Sequence, residues 1–202
     1  MLDDLSLQQM LFRVAAIIFV SGVHGFALAG FARLLGDPGP AHDGRLTVNP
    51  FAHLAVLGVV AAIASRMGWI RPMDVRAASM RGKLLGLLLC VLLSLAVLPL
   101  VAAAAMALRP IAAGIADPAL ARYAIVLLST FAEVAVWVAI LNLVPLPPLT
   151  AGLLLKTVAP GLGEAIARQE TIVSLALAAM LVLGGGERIE RFAAPFARWL
   201  LP

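Results

Sequence analysis

Hydrophobic positions in this chain run in long unbroken blocks, with polar residues gathered in the stretches between them. The first block covers residues 11–35 and is rich in small side chains, among them Ser21, Gly22, Gly25, Ala27, Ala29 and Gly30. A turn-forming run follows, Gly36-Asp37-Pro38-Gly39-Pro40, and then an extended-looking stretch over 44–50. Further apolar blocks cover 51–69, 84–108 and 123–144. A last region, 150–183, is broken near Pro160 and stops at Gly184-Gly185-Gly186. A membrane-spanning helix needs about 20 apolar residues, so these blocks predict helices that cross a bilayer. The tail at 187–201 sets Ile189, Phe192, Phe196, Trp199 and Leu200 against Arg188, Glu190, Arg191 and Arg198. That spacing predicts an amphipathic helix lying in the membrane interface.

Composition sharpens this picture. Of 202 residues, 62% are hydrophobic and 13% charged, where soluble chains average about 45–50% and about 25%. The mean hydropathy is +1.03. Such a chain is neither a nucleic-acid-binding domain, a secreted disulfide scaffold nor a disordered tail. The apolar residues suffice for about six spans at most. The expectation is one all-α polytopic membrane domain over 1–202 with five to six transmembrane helices. Irregular loops at 36–50 and 66–80 and a proline turn at 144–148 would enclose a small polar pocket.

Charge adds orientation. The basic residues sit mainly in the connections, where membrane proteins place them, and nucleic acid is not an expected partner. Arg66, Arg71, Arg76, Arg81 and Lys83 face one acid, Asp74, in the most basic connection. It is expected on the cytoplasmic side, in contact with anionic lipid. The start, Met1-Leu2-Asp3-Asp4, is acidic, and no small-residue cleavage site follows the first block, so a cleaved signal peptide is not expected. The single cysteine, Cys90, lies in an apolar block and has no partner for an intramolecular disulfide.

Several positions invite closer reading. Gly82, Gly86, Cys90 and Ser94 recur every four residues and put small side chains on one helix face. A neighbouring helix can approach there closely, either within the chain or from another membrane protein. Glu133 is a carboxylate inside an apolar span, where a charge is costly and marks a candidate site. It either bonds locally to Ser129 or Thr130 or pairs with a buried partner such as His24. Pro145, Pro147 and Pro148 follow Asn142 and cannot continue a helix. Irregular backbone at membrane depth is tolerated where it is buried in protein or lines a cavity. Asn142 is expected to bridge that backbone, and Thr150 to cap the helix after it.

Five blocks occur in a telling order: His24-Gly25-Phe26-Ala27-Leu28, Ala32 to Pro38, Gly44 to His53, Gly68 to Val75, and Asn142-Leu143-Val144-Pro145-Leu146-Pro147-Pro148-Leu149-Thr150-Ala151-Gly152. Together they resemble the site-2 protease family of intramembrane zinc metalloproteases, in its short bacterial form without a PDZ domain. The resemblance covers about residues 14–180 and implies a bacterial inner-membrane protein with that family's helical core. In the family the first block reads HExxH and the last N-x-x-P-x-P-P-L-D-G. Two histidines at i and i+4 and an aspartate from another helix bind zinc, and the glutamate takes a proton from the metal-bound water.

Here that pattern is broken. His24 matches the first ligand. Gly25 stands at the base position, Leu28 at the second histidine, Thr150 at the aspartate and Ala151 at the following glycine. Losing a positioned base alone costs about 10²–10⁴-fold in rate, and one imidazole cannot assemble a tetrahedral site. The resemblance therefore implies a pseudoprotease with a vestigial pocket at His24, Asn142, Thr150 and Glu133, and no cofactor. Zinc would enter only through other ligands, with His42, His53, Asp37 and Asp43 the candidates. An inactive member would serve as an accessory, assembly or stabilising subunit beside an integral membrane protein partner, in contact with membrane lipids. The alternatives are a metalloprotease with a rearranged metal site and a regulator that binds transmembrane clients.

Overall fold

The structure is a computed structural model that describes residues 6–200. The acidic residues Asp3 and Asp4 lie outside them, as do the side chains of Phe196, Arg198, Trp199 and Leu200. The described residues form ten α-helices. In chain order these are α1 (Leu7–Leu35), α2 (Gly39–His42), α3 (Val56–Ser65), α4 (Leu84–Ala107), α5 (Arg109–Ala113), α6 (Pro118–Asn142), α7 (Gly152–Val158), α8 (Pro160–Arg168), α9 (Glu170–Met180) and α10 (Gly186–Leu200). Short 3-10 turns at Pro50–Ala52 and Ala77–Ser79 shape the loops. No strand forms among the described residues; one antiparallel bridge pairs Leu54 with Ile70.

Local chemistry sets the helix ends. Ser6 and Gln9 form a reciprocal capping box at the start of α1, and Gly36 closes it in the left-handed conformation at φ 112°. Asp117 caps α6 by accepting hydrogen bonds from the Ala119 and Leu120 amides.

Among the described residues four segments are long and apolar enough to cross a membrane: Leu7–Leu35, Leu84–Ala113, Pro118–Asn142 and Glu170–Pro195. The expected five to six is not confirmed. The missing span is the block at 51–69. Its helix, α3, has 10 residues and is about 15 Å long, half of a bilayer core of about 30 Å. Arg66 ends α3 at φ 62°, and the chain turns back so that Ile70 pairs with Leu54. A Cβ on Gly58 would strike the returning backbone at Trp69, so glycine is required where the two limbs touch. Hydropathy alone does not register a reversal. Part of the block is buried in protein, Ala61, Ala62, Met67 and Trp69 among it, while Phe51, Val56 and Val60 are exposed.

The helices α1, α4 and α6 form the core. Contacts pair Leu28 with Cys90 and His24 with Ser94, so α4 runs antiparallel to α1. Gly86, Cys90 and Ser94 are buried, Cys90 and Ser94 against α1, so their small size serves packing within the chain. Gly82 is exposed and sits in a turn at φ 75°. The leucines on the other face of α4, among them Leu85, Leu89 and Leu93, are exposed, as a surface facing acyl chains is.

The region at 150–183 resolves into α7, α8 and α9, and helical geometry fails at Leu183 and Gly184 before α10 begins. The tail differs from its expected pattern. Ile189, Ala193 and Ala197 share one face and pack against the core, whereas Phe192 is 90% exposed. Glu190 turns inward instead, and Arg66 holds it through both terminal oxygens at 2.8 Å. Arg66 also donates to Glu133 at 3.1 Å. The structure thus takes Arg66 out of the basic loop to which its sequence position assigns it. It lies at the tip of the re-entrant element, about 15 Å from the Leu54–Ile70 bridge.

Candidate functional site

The pocket forms where α1, α4, the end of α6 and the proline turn converge. A helix carries His24 into it, halfway along α1, where its side chain is fully buried. Nδ1 lies 3.3 Å from the Ser94 carbonyl and Nε2 lies 2.8 Å from the Thr150 hydroxyl. A neutral imidazole has one N–H, and a carbonyl can only accept. With the proton on Nδ1 it donates to Ser94 and Nε2 accepts the single Thr150 hydroxyl proton; with the proton on Nε2 it donates to Thr150 Oγ1, which then donates to Asn142 Oδ1. In the first of these the ring is held as a metal-ligand histidine is, one nitrogen anchored on a carbonyl and the other turned inward. A hydroxyl stands in front of that inward nitrogen.

The proline turn places Thr150. Asn142, the last residue of α6, donates through Nδ2 to Gly68 O at 2.9 Å and to Val138 O at 2.8 Å. Its Oδ1 accepts the Thr150 amide at 3.1 Å and lies 3.1 Å from the Thr150 hydroxyl. Its backbone carbonyl accepts the Ala151 amide. One buried side chain thereby fastens α6, the returning limb of the re-entrant element and the backbone after three prolines. Thr150 does not cap α7, which has no side-chain cap. Its hydroxyl lies between His24 Nε2 and Asn142 Oδ1, within hydrogen-bond distance of both.

Gly25 and Leu28 complete the picture. A Cβ built on Gly25 would fall inside the imidazole of His53. The histidine ring therefore lies against the bare backbone of α1, where the family pattern has its base. His53 Nε2 donates to Thr47 O at 2.9 Å, while the buried Nδ1 has no hydrogen-bond partner and faces Gly25. Burial is the main influence on His53 and holds it below the usual imidazole range, partly offset by the bond to Thr47. The sequence reading places His53 in the loop but not on top of Gly25. The pairing of a missing side chain at 25 with a bulky one at 53 is its only trace in the sequence. Leu28 is buried in the apolar cluster with Cys90, Val91 and Leu153.

The remaining sequence candidates lie elsewhere. Glu133 meets Arg66 and not His24, and its local alternatives fail too, since Ser129 and Thr130 bond back to the Ile125 and Val126 carbonyls. Asp37 is buried and accepts the Gly39 and Arg76 amides, so it organises loop backbone. His42 ends the short helix α2. Among the described residues no three of His, Cys, Asp and Glu converge as a metal site would require. The residues in the pocket do not fit a tetrahedral zinc ion: a hydroxyl stands in front of the His24 nitrogen, His53 turns Nε2 to Thr47 and lays its ring on Gly25, and Leu28 is packed as an apolar side chain.

A cleft of about 30 Å³ reaches Thr150 from outside, lined by Leu28, Ile70, Met73, Pro147 and Leu153 and running out to Lys156. That is room for about one water molecule.

Comparison with known proteins gives one relation. A protein of Bacillus subtilis (strain 168) named "Putative zinc metalloprotease YwhC" is 35% identical over 69 residues, 34% of this chain. The match spans 32% of that protein's length. It supports a distant site-2-protease-like relationship. No family model and no solved structure matches the chain.

Proposed function

We propose that this chain is a non-catalytic, site-2-protease-like protein of the bacterial inner membrane, acting as an accessory, assembly or stabilising subunit of a larger membrane complex. The observation that carries the reading is the bond between Thr150 and His24. The one retained ligand nitrogen is occupied by a hydroxyl from the position where the family pattern has its third ligand. His53 fills the base position, and Leu28 is part of the apolar core. The departures at Gly25, Leu28 and Thr150 are packed or bonded as structure. A scaffold so closed, with broad apolar faces on α4 and no room for a substrate at Thr150, suits docking to other helices better than chemistry.

A second reading, a metalloprotease with a rearranged site, draws on one observation: His53 Nδ1 is buried and unpartnered. Against it, that nitrogen faces the Gly25 backbone at too close an approach for an ion between them.

The test is affinity purification of the full chain from its native membrane in mild detergent, with co-purifying chains identified and counted. A single partner at fixed stoichiometry is the expected result. A chain that elutes alone, or with many substoichiometric clients, contradicts the subunit assignment.

A further inference from the structure

Glu133 lies outside the pocket and inside the membrane. Its helix, α6, has 25 residues and is about 37 Å long, with Glu133 about 22 Å from the start. A bilayer core of about 30 Å placed anywhere along that length encloses it. At that depth the side chain is 42% exposed. Arg66 donates to Oε2 at 3.1 Å, and Oε1 accepts no hydrogen bond among the described residues. The hydroxyls one turn away are spent on carbonyls of their own helix, Ser129 on Ile125 and Thr130 on Val126.

The charges around it already balance. Arg66 also holds Glu190, and Arg13 lies within electrostatic reach of Glu133 and Glu190, so two arginines face two glutamates. Arg191 pairs with Glu187 at 4.0 Å, and Arg188 is exposed on α10. Arg122 is about 16 Å nearer the start of α6, and Arg109 lies beyond it on α5. A carboxylate open to acyl chains is costly, and carboxylates within spans face protein or water. The face of α6 around Glu133 points to protein. Arg122, Val126, Ser129 and Glu133 recur at three- and four-residue spacing and share one side of the helix. A groove of about 390 Å³, lined by Ala113, Ile115, Ala121, Ile125 and Val126, runs beside them. Such small and apolar side chains let another membrane helix approach closely. A cationic donor from that helix would unbalance the four paired charges, and an acid would meet Oε1 with like charge. An uncharged donor does neither.

We propose that a transmembrane helix of the partner protein docks along this face of α6 and gives Glu133 Oε1 a hydrogen bond from an uncharged side chain at mid-depth, a serine, threonine, asparagine or glutamine. This rests on the subunit reading above and names the surface through which the chain joins its complex.

Photo-crosslinking of the full chain in its native membrane tests it, with benzoylphenylalanine in place of Val126 or, for comparison, of Leu89 on α4, both exposed. The expected result is a crosslink from position 126 to one other chain, mapped to a transmembrane segment that carries such a side chain, with no comparable product from position 89. Glu133→Leu should lower that yield at least about threefold, the worth of one interhelical hydrogen bond in a membrane. Glu133→Gln keeps an acceptor oxygen and should hold the yield within about twofold. The crosslink map and Glu133→Gln decide the proposal whether or not Glu133→Leu folds. Equal loss in both variants overturns it in favour of a cationic donor. A crosslink from position 126 to a second copy of this chain overturns it in favour of a dimer. No protein crosslink there also overturns it, and labelling of Val126→Cys by a membrane-impermeant maleimide would then assign Glu133 to water. A stoichiometric partner crosslinked from position 89 and not from 126 removes the docking face and leaves the subunit reading standing. A chain that purifies alone removes both.

Discussion

Thr150 Oγ1 lies 2.8 Å from His24 Nε2, although 126 residues separate them in the chain. A resemblance read from short sequence blocks implies that these two positions meet, one as a metal ligand and the other as its replaced partner. The fold brings them together, and it does so with a hydroxyl where that pattern has a carboxylate. The contact is a strut between α1 and the proline turn.

That strut has a measurable worth. Thr150→Val keeps the shape and removes the hydroxyl, leaving His24 Nε2 buried without a partner. The loss should be about 1–3 kcal/mol, read as a lower unfolding temperature in detergent. Thr150→Ser should recover most of it. A Thr150→Val chain as stable as the parent would show that the bond contributes nothing.

Gly25 and His53 should behave as a coupled pair. Gly25→Ala places a methyl group in the His53 ring, and overpacking of this kind costs about 1–3 kcal/mol. Adding His53→Ala should return at least about 0.5 kcal/mol of that in a double-mutant cycle. Additive losses would mean that the ring and the glycine are not in contact.

The same pair governs any attempt to rebuild the metal site. Gly25→Glu, Leu28→His and Thr150→Asp together supply the family's base and missing ligands. The triple variant should take up zinc poorly, because any side chain at position 25 competes with the His53 ring for one volume. Adding His53→Ala should raise uptake toward one zinc per chain, measured by elemental analysis of folded protein. No uptake by the folded quadruple variant would mean that α1 and the proline turn are too far apart for the family geometry.

His53 also gives stability a pH dependence of known sign. Its ordinary pKa is 6.5 and burial lowers it in the folded chain, so the unfolded chain binds the extra proton first as pH falls. Its contribution is complete above about pH 6.5 and declines below that toward the folded value. The unfolding temperature should therefore fall between about pH 7.5 and about pH 5.5, and His53→Gln should flatten that slope. An equal slope in the variant would remove His53 as its origin.

Arg66 should be the most sensitive charged residue. It holds Glu133 and Glu190, and Arg13 donates to the Ile63 and Ala64 carbonyls at the end of the same helix. Arg66→Met leaves two carboxylates facing each other. Breaking a buried pair costs about 3–5 kcal/mol, and partial exposure reduces this to about 1–3 kcal/mol here. Glu190→Gln should cost less, since Arg66 keeps Glu133. A silent Arg66→Met would mean that α10 is held by its apolar face alone.

Much of this architecture could be read from the residues because long helices announce themselves. The blocks at 84–108 and 123–144 match Leu84–Ala107 and Pro118–Asn142 closely, and the break at Gly184 is where helical geometry fails. The re-entrant element could not. Its residues are apolar on both the buried and the exposed face, and a window average does not register that the chain reverses after 10 helical residues. The misplacement of Arg66 follows from the same cause: once 51–69 is taken as a span, the arginine after α3 is assigned to the loop. Only a paired reading of Arg66 with Glu133 and Glu190, charges that apolar surroundings would drive together, hints at its true place. In the pocket, His24, Asn142 and Thr150 were identifiable as members of one motif. The seat of His53 on Gly25 was not, because it joins a helix and a distant loop that share no sequence spacing.

Metal content tests the non-catalytic reading most directly. Zinc should be measured per chain by elemental analysis on full-length protein extracted from its native membrane in mild detergent, alongside His24→Ala. Far less than one zinc per chain is expected, unchanged in the variant, because Thr150 holds the inward imidazole nitrogen of His24. Zinc near one per chain that disappears in His24→Ala would contradict that reading.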